Sequence, residues 1–234
     1  MIWNVPKIWE EGDVWILGGG PSVPKQFGIP QLVVQQVVNG TSPPSVYSPY
    51  MSGIHDKHVI GINVAYLIGD WIDVAFFGDI GFFLQHKEKL AQFPGIKVCC
   101  HPQIEKFNWV KYLPRDHKGR GISDNPNSVS WNYNSGAAAI SLAIHAGAKR
   151  VILLGFDMKL DTTNMQHWHN LYGRGQVMDA KRIMKLPFVR HLRGFPEIAK
   201  DAKRMGVEVL NGSPDSAIVD FPKYSVNDLL IKTA

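Results

Sequence analysis

The segment VILLGF at residues 151–156 is apolar throughout and only six residues long, which fits a strand covered on both faces. Similar short runs recur, so that strands are expected at Val14–Leu17, His58–Ile62, Asp73–Phe77, Lys97–Cys100, Arg150–Gly155 and Glu208–Leu210. Helical patterns alternate with them, at 80–91 after Asp79, at 135–146 after Asn134 and at 195–205 after Arg193. Gly95, Gly147 and Gly206 then precede the next strands, where a left-handed glycine ends a helix without steric cost. This alternation predicts an α/β fold: a doubly wound, mostly parallel, Rossmann-like sheet of about six strands, with helices on both faces and long insertion loops.

A chain of 234 residues, 45% hydrophobic and 19% charged, can bury one such sheet as a single domain over 1–234. Stretches near 24–57, 105–133 and 158–192 read as loop or lid insertions, the usual carriers of binding residues in compact α/β domains. No apolar run approaches the roughly 20 residues of a membrane helix, and the N-terminus lacks the pattern of a secretory signal. The expectation is a cytoplasmic protein without membrane insertion. Adjacent Cys99 and Cys100 suit neither an ordinary mutual disulfide nor a structural zinc site.

Charge is uneven. Between Arg174 and Arg204 lie nine basic residues (174, 181, 182, 185, 190, 193, 200, 203 and 204) against Asp179, Glu197 and Asp201, an excess larger than the +5 of the whole chain. Such a stretch is either a solvated helical face or a surface that meets a polyanion or a phosphate-bearing acceptor.

Chemistry-bearing residues collect where the expected strands end. Gly18-Gly19-Gly20-Pro21-Ser22 follows the first strand, and a glycine turn there lets a phosphate or sugar approach the backbone, or serves simply as a tight turn. No Walker lysine follows, and position 23 is Val, which departs from GxGxxG. Asn63 and Asp79 close the second and third strands and would face the same crevice, although Asp79 also suits a helix cap. Asn134-Ser135-Gly136 opens the most apolar helix, whose N-terminus offers N–H groups to an anion. Asp157 ends the VILLGFDM strand, and His167-Trp168-His169 follows in a polar loop, giving imidazoles suited to proton transfer near neutrality. Histidines at i and i+2 point the same way in an extended chain. A metal pair is therefore the alternative, with no carboxylate at familiar ligand spacing.

Taken together, ILGGGPS, VIGIN, FFGD, NSGAAAISLAIHAGAKRVILLGFDM and HWH resemble one Rossmann-like group over roughly residues 12 to 212. That group joins bacterial sialyltransferases of the Campylobacter type, flagellin-modifying proteins and archaeal-type 6-hydroxymethylpterin diphosphokinases. The chain is similar in particular to small phage- and prophage-encoded members, which would place it in a host cytoplasm. The sialyltransferase branch implies a CMP-sugar, with Gly18–Ser22, Asn63 and Asn134–Gly136 as nucleotide contacts and His167 or His169 as base. That branch also holds its leaving phosphate with tyrosines beyond the G-x-D strand. Here the stretch reads MKLDTTNMQ, with only Tyr172 nearby. The diphosphokinase branch implies ATP and Mg²⁺, with Asp79 and Asp157 as candidate carboxylates for the ion.

The leading expectation is a glycosyltransferase using a CMP- or UDP-sugar, needing no metal cofactor, with His167, His169 and Asp157 as catalytic candidates. Its acceptor would be a glycan or, through the basic stretch 174–204, modified DNA, and a homo-oligomer is compatible with the sequence. The alternatives are the Mg²⁺-dependent diphosphokinase and a non-catalytic nucleotide- or nucleic-acid-binding protein. The last would tolerate loss of both His167 and His169 but not charge reversal in the basic stretch.

Overall fold

The computed structural model describes residues 1–172 and 187–232. Its centre is a seven-stranded sheet in which every pairing is parallel. The strands are β1 (Asp13–Leu17), β2 (His58–Ile62), β3 (Val74–Phe77), β4 (Ile96–Cys99), β5 (Lys111–Tyr112), β6 (Arg150–Leu154) and β7 (Glu208–Asn211). Six are the expected ones to within a residue or two at each end. The addition is β5, whose two residues at the sheet edge are too few to show a hydrophobic pattern.

Residues along each strand alternate between two cores. Val14, Ile16, Ile60, Val74, Phe76, Val151 and Leu153 face one layer, while Trp15, Leu17, Val59, Ala75, Phe77, Ile152 and Leu154 face the other. The helices divide accordingly. The first layer holds α4 (Ser135–His145) and α6 (Phe195–Arg204). The second holds α2 (Gln31–Val38), α3 (Ile80–Gln92) and α7 (Val226–Lys232), with the five-residue α1 (Ser22–Gln26). Short α5 (Phe188–Leu192) lies at the rim of the cleft described below. Gly136 through His145 are all buried, so the alanine-rich α4 lies inside the layer rather than upon it.

Two expectations change. The stretch 24–57 is not an irregular lid: it contains α2 and a 3-10 helix at Pro44–Ile54, which bury Val34, Val37, Tyr47, Met51 and Ile54. Proline before and within these elements hid them, and their apolar residues serve the core. Gly147 and Gly206 do adopt positive φ after their helices, but Gly95 does not. There α3 ends in extended Phe93, and Gly95 is required because a Cβ would meet the Asp73 carbonyl and the Phe93 ring, each at 2.6 Å.

Strand order β5-β4-β3-β2-β1-β6-β7 positions the site. The chain winds outward from β1 to β5, then returns to lay β6 on the opposite edge of β1. Connections from β1 and β6 therefore leave in opposite directions, opening a crevice at the carboxyl ends of these strands. Gly18 and Asp157 sit at that divide. Among the described residues, no helix is long and apolar enough to cross a membrane.

Candidate active site

A cleft of about 1050 Å³ opens at these strand ends. It is lined by Gly18, Gly19, Gly20, Asn63, Asp79, Asn134, Ser135, Gly136, Asp157, His167 and His169, all anticipated from the sequence. Pro21 and Ser22 are not among its walls: Pro21 precedes α1, and Ser22 turns toward Asp157 and Ser213.

The glycine turn and the HWH segment are bonded together. Trp168 N–H donates to the Gly19 carbonyl at 3.0 Å and its indole Nε1–H to the Gly18 carbonyl at 2.9 Å, while the Tyr47 hydroxyl donates to the Trp168 carbonyl at 3.2 Å. Trp168 is fully buried. Because side chains alternate along extended chain, this anchor turns both neighbouring imidazoles into the cleft. The rings of His167 and His169 stack 5.2 Å apart with only 9° between their planes. Tyr172 packs edge-on against both, at 5.1 and 4.7 Å.

The three glycines are needed chiefly for close packing within the protein. A Cβ on Gly18 would lie 2.9 Å from the Gly155 carbonyl, and one on Gly20 would collide with Asp157 and Gly155. A Cβ on Gly19 would lie 3.0 Å from Nδ1 of His167. The turn lets β1 and β6 interlock (Gly18 N–H to Leu154 O at 2.7 Å, Gly20 N–H to Gly155 O at 2.9 Å) and makes room for the imidazole.

Hydrogen bonding separates the two histidines. Nδ1 of His169 accepts the Leu171 N–H at 3.2 Å, so in the neutral ring its proton sits on Nε2 and neither nitrogen keeps a free lone pair. His167 is half-buried, with its Nδ1 buried against the Gly19 backbone. Burial holds its pKa down to about 4, and that of His169 well below the usual value. Both rings are thus neutral at pH 7, rather than half-titrated as the sequence led us to expect.

Asp157 is buried, and its Oδ2 accepts the Ser22 hydroxyl at 2.9 Å. Burial raises its pKa, with the Ser22 hydrogen bonds pulling the other way. This carboxylate clamps the end of β6 to the start of α1. Asp79 occupies the N-cap position of α3 but makes no capping bond, leaving its exposed carboxylate in the cleft. Asn134 does cap α4, its Oδ1 accepting from Gly136 N–H at 2.9 Å and Ala137 N–H at 3.3 Å. What this helix end can still offer a ligand is Ser135. Asn63 and Met158 hold left-handed backbone (φ 51° each) immediately after β2 and Asp157, a conformation disfavoured for side-chain-bearing residues and concentrated at functional sites.

Other residues of the cleft went unmarked in the sequence: Arg115, Trp131, Tyr133, Lys159 and His191 among them. Arg115 comes from the 105–133 insertion, one of three Arg and Lys residues in the run RDHKGR that no local pattern distinguishes. His191, in no motif the sequence singles out, also lines the cleft, with its pKa lowered to about 4 by burial. Of the basic stretch, 174, 181, 182 and 185 lie outside the described residues. Arg190 reaches the cleft, whereas Arg204 bonds Asp124 at 2.7 Å and approaches Asp201 at 3.5 Å. The described part is therefore not one uniform cationic face. No group of three or more His, Cys, Asp or Glu converges for a metal among the described residues.

The buried imidazoles make stability depend on pH. His145, His167 and His191 sit near 4, and His86 is also lowered, all chiefly through burial, against about 6.5 in an unfolded chain. Between these values the unfolded state binds more protons, so stability falls as pH drops from 6.5 toward 4. Asp73, Asp157 and Asp220, raised by burial, work in the opposite sense but are fewer. The urea midpoint should be lower at pH 5 than at pH 7. Equal midpoints would contradict burial of these rings.

No family model matches the chain, and no curated protein matches it. Solved structures do. The sialyltransferase CstII from Campylobacter jejuni in complex with the substrate analogue cytidine-5'-monophosphate superimposes with a TM-score of 0.50 at 13% identity, over 93% of this chain and 86% of that one. CstII with CMP-3FNeuAc gives 0.51 at 14%, over 92% and 87%. The MAf glycosyltransferase from Magnetospirillum magneticum AMB-1 gives 0.53 at 12% over 96% of this chain, which spans only 35% of that protein's length. At such identities the likeness is one of fold.

Proposed function

We propose that the protein is a glycosyltransferase that moves a sugar from a nucleotide to an acceptor hydroxyl, with His167 as general base. One observation carries this reading: HWH is pinned to the glycine turn at the point where β1 and β6 diverge, so a neutral imidazole faces the crevice in which α/β sheets bind nucleotides. The shared fold of CstII, solved with CMP and with CMP-3FNeuAc, supports a cytidine nucleotide as the first donor to test. A lone pair on His167 takes the acceptor proton as the new carbon–oxygen bond forms. The bond from the anomeric carbon to the phosphate oxygen breaks, and the nucleotide leaves with its electron pair. His169, stacked behind, fixes the orientation of the base. Ser135 and the positive end of α4 meet the developing phosphate charge. A low pKa makes His167 a weaker base in isolation, but the negative charge of the donor phosphate, which grows as the bond to the sugar breaks, would raise it.

Thermal shifts with CMP, UDP, GDP, ADP and ATP, each with and without Mg²⁺, test the reading. The expected result is a metal-independent rise with CMP or UDP of roughly 5–10 °C at a concentration about 100-fold above Kd. A rise confined to ATP with Mg²⁺ would overturn it in favour of diphosphate transfer. The acceptor in this reading is a glycan hydroxyl.

A further inference from the structure

Arg115 stands in the cleft without an ion-pair partner among the described residues. The cleft's exposed carboxylate, Asp79, lies outside ion-pair distance. Instead the guanidinium lies 3.6 Å from the centroid of the Trp131 ring, and Nη2 donates to the Gly78 carbonyl at the end of β3. Nε is buried with no hydrogen-bond partner among the described residues. Its other polar neighbour is the Cys100 thiol, pushed up to about 11 by burial and therefore neutral. The guanidinium is held in place at some cost in desolvation, and no described residue forms an ion pair with it.

Its surroundings suit an anion. Trp131 joins Arg115 to the start of α4: its carbonyl accepts the Asn134 N–H at 3.1 Å. A Cβ on Gly78 would meet both the Trp131 ring and, at 3.0 Å, the Ser135 hydroxyl. One short stretch of wall therefore presents a fixed guanidinium, a serine hydroxyl and a helix N-terminus. We infer that Arg115 binds the nucleotide's phosphate in this cleft. This rests on the nucleotide reading above and adds to it the residue that discriminates a nucleotide from its nucleoside. Trp131 is the positioning residue, since its ring sets the plane of the guanidinium.

The test compares CMP with cytidine, and UMP with uridine, by calorimetric titration of the whole protein, its Arg115→Gln variant and its Arg115→Lys variant. The measured quantity is the ratio of nucleoside Kd to nucleotide Kd. A merely loosened fold weakens both ligands alike and leaves that ratio unchanged. The expected result is a 10- to 100-fold fall in the ratio for Arg115→Gln, with partial recovery in Arg115→Lys, on the order of one charge-assisted hydrogen bond. Salt should weaken nucleotide binding less in Arg115→Gln than in the unaltered protein. An unchanged ratio in Arg115→Gln overturns the assignment. A protein that binds neither CMP nor UMP even when unaltered overturns the functional reading itself, so the two failures are distinguishable.

Discussion

Replacing His167 by Asn should lower sugar transfer by about 10²- to 10⁴-fold, the usual range for loss of a general base, with nucleotide affinity largely kept. The amide is close in size to imidazole but cannot accept a proton at neutral pH. His169→Asn should cost less, because its Nδ1 is occupied by the Leu171 N–H and its role is to hold the neighbouring ring. Steady-state rates with a CMP- or UDP-sugar, alongside Kd for the free nucleotide, separate the two roles. A His167→Asn enzyme within a few-fold of the original would remove the imidazole from the chemistry. Equal losses in the two variants would make the stacked pair, rather than its outer member, the functional unit.

The second large effect is on stability. Trp168→Ala should destabilise by about 3–5 kcal/mol, as expected when a fully buried aromatic residue leaves a cavity. That is a large share of the roughly 5–15 kcal/mol by which a typical domain is stable. Trp168→Phe keeps most of the packing but strands the Gly18 carbonyl, which should cost about 1–3 kcal/mol. Urea unfolding at pH 7, away from the histidine titrations, measures both. Because the same side chain ties HWH to the glycine turn, the Phe variant should also lose activity while still folded. A loss below about 1 kcal/mol for Trp168→Ala would be incompatible with the anchoring role.

How far the sequence reached depended on the range of the physics involved. Strands β1, β2, β3, β4, β6 and β7 were readable because burial on both faces demands uninterrupted apolar runs, and α3, α4 and α6 because each shows helical spacing followed by a glycine and the next strand. The start of α4 at Asn134-Ser135 was readable from the apolar helix that follows, and the structure gives the cap to Asn134. By contrast, α2 and the 3-10 helix at Pro44–Ile54 sit among prolines that give the stretch the pattern of a loop, although their apolar residues fill the core.

The candidate site divides the same way. Residue types at strand ends marked Gly18–Gly20, Asn63, Asp79, Asp157 and the two histidines, since topology alone sends the carboxyl ends of parallel strands to one edge. Burial and orientation were not readable. Only packing decided that both imidazoles are neutral, that Ser22 serves Asp157 instead of a ligand, and that Arg115 lies flat on Trp131 beside the start of α4. Periodicity and strand-end chemistry are written within a few consecutive residues. Desolvation and the meeting of segments 16 to 150 positions apart depend on the completed fold, so the tertiary structure alone fixed which side chains are free to act.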